Sequence, residues 1–268
     1  MATKKTRRTK SARPASDTTT VHTKSAEPLC WTKARYGFHS FAYRDPRSVY
    51  STAMALPVVS PTTVLLGIVS TLFSLGEAQM AREFLDLVHW CRVAVDPPEG
   101  VVFFRAFHQL RRYETNKYLS SKGQNPRMGL TQPGQGTREY GLLDGDMTLY
   151  VGAPRSVIGC VQLALRNRDH LGTRDSLCSL VGEVESCAEP ENVVYSPPES
   201  WQRKIPDASA VTVLTLSRFR TSEQIRPAVG EHWWMAGGVE TNLAPYLIKG
   251  RFTGTGGGKI YVKNPANP

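Results

Sequence analysis

The stretch GRFTGTGGGKIYV, residues 250–262, narrows the possible folds more than any other segment. Five glycines fall within residues 250–258, with Lys249 before them and Lys259 after. Glycine-rich turns often cradle phosphate, so the nucleotide-binding folds are tested first. A P-loop needs a glycine, four residues and then Gly-Lys-Ser/Thr leading into a helix. Here Gly258-Lys259 is followed by Ile260, and Thr253 stands where the first glycine belongs. A dinucleotide fingerprint needs G-x-G-x-x-G opening a helix. Gly254 and Gly256 fit its first half, but Lys259 occupies the third glycine position. The following residues, KIYVKNPANP, carry two prolines, so no helix N-terminus is expected there to receive a pyrophosphate. The pattern predicts a strand (PYLIKGRF), a glycine hairpin (TGTGGG) and a second strand (KIYV). Two uses stay open: a plain β-turn, or a loop whose bare amides lie against a nucleic-acid backbone.

Charge is distributed unevenly. The net charge is +10, yet residues 1–24 carry seven Lys/Arg and one Asp, leaving +4 for the remainder. We expect residues 1–26 to form a disordered basic arm, either a nonspecific nucleic-acid contact through counterion release or a solubilising tail. The arm lacks the apolar stretch of a signal peptide. The longest apolar run, TTVLLGIVSTLFSL, is shorter than the roughly 20 residues of a membrane span. Five cysteines, with no C-x-x-C pair, argue against a zinc site and a disulfide framework. They read as reduced, mostly buried core residues of a cytoplasmic protein with no cofactor, metal or membrane partner.

Along the chain, PLCWTKARYGFHSF reads as a first strand and AYRDPRSVYSTAMALPVV as an irregular connection. Ser60 and Pro61 suit the N-cap and first turn of a helix with Val64, Leu65, Ile68, Val69, Leu72 and Phe73 on one face. EAQMAREFLDLVHWC is a second helix, with His89 beside its apolar stripe as a packing residue. RVAVDPPEGVVFFRAFHQL gives two strands about a turn, and residues 111–141 follow with weak regular structure. DMTLYVGA is a strand, and the segment from Pro154 begins a helix bearing Val157, Ile158, Val161, Ala164 and Leu165. Residues 185–209 read as a polar loop and AVTVLTLSRF as a buried strand. The order matches β-α-β-β-α-β, so the expected class is α+β and ferredoxin-like over residues 27–268, with a long basic insertion near 111–141 and the C-terminal glycine hairpin.

The chemistry concentrates in two clusters. Residues 101–140 hold Arg105, Arg111, Arg112, Lys117, Lys122, Arg127 and Arg138 against Glu114 and Glu139. Phe103, Phe104, Tyr113, Tyr118 and Tyr140 are interleaved with them. Cations neutralise phosphates while aromatic faces stack unpaired bases, at about 1–3 kcal/mol per base. The second cluster is YGFHSFAYRDPRSVY, with Tyr36, Phe38, His39, Arg44 and Arg47. Together with Arg251, Gly254, Gly256, Gly257, Gly258 and Lys259, these residues form the candidate RNA-binding set. A solvated insertion is the plain alternative for the first cluster. A catalytic alternative uses Tyr36 or His39 as acid or base and Lys122 to stabilise a phosphorane, which is all that metal-independent RNA cleavage requires. Asp144 and Asp146 suggest a tight turn before a strand rather than a metal site.

Three features carry a family resemblance. ARYGFHSFAYRDPRSVYSTAMALPVVSPTTVLLGIVSTLF, REYGLLDGDMTLYV with VIGCVQLALRNRDHLGTRDS, and the glycine hairpin resemble the fifth Cas family, from about residue 28 to 262. This is the RAMP subunit that caps the guide-RNA (crRNA) 5′ handle in type I CRISPR Cascade complexes. The resemblance implies a ferredoxin-like palm and a thumb near residues 111–141. It implies contacts with the crRNA 5′ handle, the Cascade backbone subunit and the large subunit, and with target DNA through the complex. Transposition proteins are a further candidate partner. In one subtype the family cleaves RNA itself with a tyrosine, a lysine and a histidine, but no Lys-His pair stands in the loop here. The expectation is therefore a non-catalytic binding subunit, with precursor-RNA cleavage as the alternative. The basic arm lies outside the family pattern.

Overall fold

The structure is a computed structural model that describes residues 28–45, 54–112, 132–173, 175–190, 211–219, 241–254 and 258–263. The expected arm (residues 1–26) lies outside the described residues, as do Arg47, Lys117, Lys122, Arg127, Gly256 and Gly257.

The chain is mixed α/β with antiparallel sheets. One sheet is built from β1 (Cys30–Phe38), β2 (Arg92–Asp96), β5 (Met147–Ala153) and β6 (Cys178–Leu180) in the order β2-β5-β1-β6, with β7 (Glu185–Cys187) also pairing β1. A second sheet takes β3 (Gly100–Arg112), β4 (Gln132–Asp144), β10 (Arg251–Thr253) and β11 (Lys259–Val262) in the order β10-β11-β3-β4. The remaining strands, β8 (Val211–Phe219) and β9 (Thr241–Lys249), pair with each other.

Helix α1 (Pro61–Ser74) starts where the sequence expects it. The Ser60 hydroxyl accepts from the Thr63 amide at 3.2 Å, and Pro61 occupies the first turn, where its missing N–H costs nothing. Val64, Leu65, Ile68, Val69 and Leu72 are all buried, so the 3.6-residue period forms one apolar stripe. That stripe packs against α2 (Ala78–Leu87) and α3 (Ile158–Arg166), while α3 also covers β1 and β5. Phe84 of α2, Leu165 of α3, Ala34 and Tyr36 of β1, and Met147, Leu149 and Val151 of β5 complete the core.

Four expectations are corrected. The helix expected from Pro154 begins at Ile158, after a turn, and ends at Arg166. The strand AVTVLTLSRF does not join the main sheet; the short β6 takes the edge beside β1, and β7 interrupts the expected polar loop. Cys91 and Cys160 are buried, but Cys30, Cys178 and Cys187 are only half-buried; all five are free. Finally, the segment read as weakly structured is largely strand at both ends. β3 and β4 remain in register from Gly100↔Asp144 to Arg112↔Gln132. Residues 113–131 lie outside the described residues. The glycines and proline of QPGQG suggest a loop by propensity, but β3 supplies a partner for every residue opposite, and pairing overrides propensity.

The strand expected over PYLIKGRF is cut in two at Gly250. With φ +110°, this residue occupies backbone space that side-chain-bearing residues avoid, and a Cβ there would lie 2.5 Å from the Val262 carbonyl oxygen. The chain turns there from its pairing with β8 into the glycine hairpin with β11. The buried Tyr261 hydroxyl donates to the Lys249 carbonyl and ties the two pieces together.

Candidate nucleic-acid interface

β11 covers only the base of β3, from Gly100 to Phe103. Beyond it, β3 and β4 continue as a two-stranded arm. Side chains alternate along β3, so Val101, Phe103, Arg105 and Phe107 share one face and Val102 and Phe104 the other, and exposure on the first face rises past the end of β11. Val101 and Phe103 point into the core, whereas Phe104 is 40% exposed and Phe107 is 88% exposed. Arg105 is exposed and makes no ion pair among the described residues. Arg105 and Phe107 share one face of the arm and offer a cation beside an exposed ring, while Phe104, half-exposed, lies on the other face.

At the root of the arm is an open depression of about 510 Å³, lined by Phe103, Phe104, Arg105, Glu139, Phe252 and Lys259 and bordered by Gly254 and Gly258. Its floor is a clamp. The buried Glu139 carboxylate accepts from the Ala55 amide at 2.8 Å, and the Lys259 amine donates to the Ala55 carbonyl at 2.9 Å. Lys259 stands 3.7 Å from Glu139 and lies over the rings of Phe103 and Phe252, 4.4 and 4.7 Å from their centroids. Its charge therefore holds the connection before α1 against the hairpin, as well as lining the depression. A Cβ on Gly254 would stand 2.6 Å from the Gly258 carbonyl oxygen, so a glycine is needed for the two backbones to approach this closely.

The opposite side of the arm's base is tied down. Arg138 meets Asp175 at 2.5 Å, and the Tyr140 hydroxyl donates to the same carboxylate at 3.5 Å. Tyr140 stacks on Phe104 with centroids 5.8 Å apart. Burial, followed by the Asp175 charge, pushes the Tyr140 phenol above its ordinary range. Arg138 and Tyr140 thus brace the arm, and Arg138 is already neutralised. Arg111 and Arg112 lie at the far end of β3, opposite Pro133 and Gln132. Arg251 precedes the glycine hairpin, and its Nε is buried with no hydrogen-bond partner among the described residues.

The second cluster does not converge. Tyr36 is a core residue with no exposed surface, its hydroxyl donating to the Leu165 carbonyl at 2.5 Å. Burial raises its pKa strongly. It can neither stack on a base nor serve as an acid or base, so its place in both the binding and the catalytic set is corrected. Phe38 packs against the core and meets Phe41 edge-on at 5.1 Å. His39 is exposed in the bend after β1. Arg44 bridges Ala55 and lines a different cavity, beside α1.

Sequence reading passed over Phe107, Phe252, Glu139 as a clamp, and Asp175. Phe107 had a signal: the alternation of FFRAF predicts which rings share a face once the strand is known to continue. The others are brought together only by distant pairings.

No protein-family model and no curated protein matches the chain. Among solved structures, it resembles a chain of a "CRISPR RNA-guided surveillance complex" at 14% identity, with a TM-score of 0.42 over 82% of this chain and 88% of that one. It also resembles a CRISPR protein from Archaeoglobus fulgidus at 10% identity, with a TM-score of 0.40 over 88% and 92% of the two chains. A chain from the type III-B Cmr-beta complex bound to cognate target RNA and AMPPnP is 11% identical, with a TM-score of 0.37 over 87% and 86%.

Proposed function

We propose that this protein is a non-catalytic crRNA-binding subunit of a CRISPR effector, of the fifth Cas family, capping the 5′ handle of the guide. The observation that carries the reading is the β3–β4 arm, which presents Phe104, Arg105 and Phe107 outward beside the glycine hairpin. The strand order β2-β5-β1-β6, antiparallel throughout and interleaved with helices, supports a ferredoxin-like palm with the arm as its thumb. The sequence resemblance supplies the Cascade backbone and large subunits as partners.

The mechanism is grip rather than turnover. Unpaired bases stack on the exposed rings, and Arg105 and the arginines toward the end of β3 neutralise backbone phosphates. The Glu139–Lys259–Ala55 clamp fixes the arm's root so that these groups arrive pre-positioned. Fluorescence anisotropy with a repeat-derived 5′ handle and a scrambled RNA of equal length tests the proposal. Tighter binding of the handle is expected, and equal affinity for the two would defeat it. Incubation with repeat RNA in EDTA tests the catalytic alternative: cleavage abolished by His39→Ala would replace the present reading with an endoribonuclease.

A further inference from the structure

A second cavity lies away from the arm, between α1 and the segment after α3. It measures about 390 Å³ and is lined by Arg44, Thr63, Ser70, Thr71, Arg168 and His170, with Thr173 at its edge. Among the described residues, no carboxylate lines it.

Arg168 is the unusual member. Its residue is 6% exposed, and its guanidinium reaches α1 with Nη2 foremost where Gly67 leaves room. A Cβ on Gly67 would fall 1.4 Å from the Arg168 Nη2. The hydrogen bond found for this side chain among the described residues is a long one, from Nη1 to the Val64 carbonyl at 3.4 Å. Burial pulls the Arg168 pKa down. Its neighbour Asp169 is directed to His170, with Oδ1 2.6 Å from Nδ1. The Asp169 charge reaches Arg168 without a direct ion pair among the described residues, and a buried cation lacking such a pair costs free energy that a bound anion would offset. Thr63 and Thr173 already donate to Tyr43 and to the Ala42 carbonyl, so the donors facing the cavity are Arg168, Arg44 and the Ser70 and Thr71 hydroxyls, a set suited to an oxyanion.

We propose that this cavity is a phosphate-binding seat, with Arg168 as its buried anchor and Arg44 at its rim. The seat would exist whether or not the arm grips guide RNA. The phosphate could be that of an RNA strand or free in solution, and the two share one recognition chemistry.

Inorganic phosphate, added to the full chain at ionic strength matched with chloride, should raise Tm and broaden the ³¹P resonance. Bound phosphate stabilises the folded state by mass action. Arg168→Gln should weaken phosphate affinity about 10- to 100-fold, as expected for loss of a charged hydrogen-bond donor. Arg44→Ala should weaken it less, and Arg92→Ala, an exposed arginine on β2, should not change it. Gly67→Ala adds one methyl that displaces the Arg168 head, so it should lower phosphate affinity in a folded protein. If Arg168→Gln fails to fold, Gly67→Ala and Arg44→Ala decide. No phosphate-specific shift in the wild type overturns the seat, as does a shift that survives in both Gly67→Ala and Arg44→Ala. A short 5′-phosphorylated RNA that displaces phosphate identifies nucleic acid as the source, and simultaneous occupancy identifies the free ion. Phosphate binding without any RNA binding keeps the seat and removes the guide-RNA reading.

Discussion

The main sheet and the β3–β4 arm are built from similar alternating strands, yet they end in opposite states. In β1, Ala34 and Tyr36 face helices and are sealed, while Arg35 faces out and meets Asp146 at 3.4 Å. In the distal arm no helix among the described residues covers either face, and Phe107 stands almost fully in solvent. Two-stranded hairpins are marginal by themselves. This one is held at its root by β11, by the Glu139–Lys259–Ala55 clamp and by Arg138 on Asp175. A strand that gains no core burial from its exposed rings is free to use them for a partner.

The sharpest break between the regions should come in stability. Ile68→Ala empties a fully buried site under the main sheet and should cost about 2–5 kcal/mol in urea unfolding. Gly250→Ala strains the turn that feeds the glycine hairpin, and a loss of about 1–3 kcal/mol is expected. Glu139→Ala leaves the buried Ala55 amide without its acceptor and should also cost about 1–3 kcal/mol. Unlike Ile68→Ala, it should speed hydrogen exchange in the arm's root selectively, and uniform acceleration across the chain would show that the two regions unfold as one.

Phe107→Ala reverses the pattern. Stability should move by less than about 0.5 kcal/mol, as for an ordinary surface site. Affinity for single-stranded RNA should fall by about 1–3 kcal/mol, the range for one lost stack. Arg105→Ala should flatten the salt dependence of binding, and an unchanged slope would separate Arg105 from the phosphate contacts.

A further effect is alkaline. Burial pushes the Cys91 and Cys178 thiols up to about 12 and raises the Tyr36 phenol further. Once pH exceeds the ordinary thiol range, the unfolded chain loses protons that the folded chain keeps, so stability falls as pH rises toward 12. A urea midpoint that stays flat from pH 8 to 10.5 would contradict that burial.

Helix α1 was legible because its signals are local: Ser60, Pro61 and the apolar spacing that follows specify start and face within one segment. The glycine hairpin was legible for the same reason. β4 was not, since QPGQG becomes strand only when β3 lies opposite. Alternation along β1 separates Tyr36 from Arg35 but cannot say which side a helix will cover. The 36–50 cluster therefore looked like one surface, and folding dispersed its described members into the core, a bend and a second cavity.

By itself, the sequence determined what short-range physics controls: the capped helix, the two-residue period of the strands, the glycine turn and the absence of nucleotide-loop spacing. Tertiary structure alone decided which faces were covered, which cations found carboxylates, and that Arg168 came to rest on Gly67, 101 residues earlier in the chain. Those outcomes depend on the pairing and packing of segments far apart in sequence, and no local pattern encodes the partner.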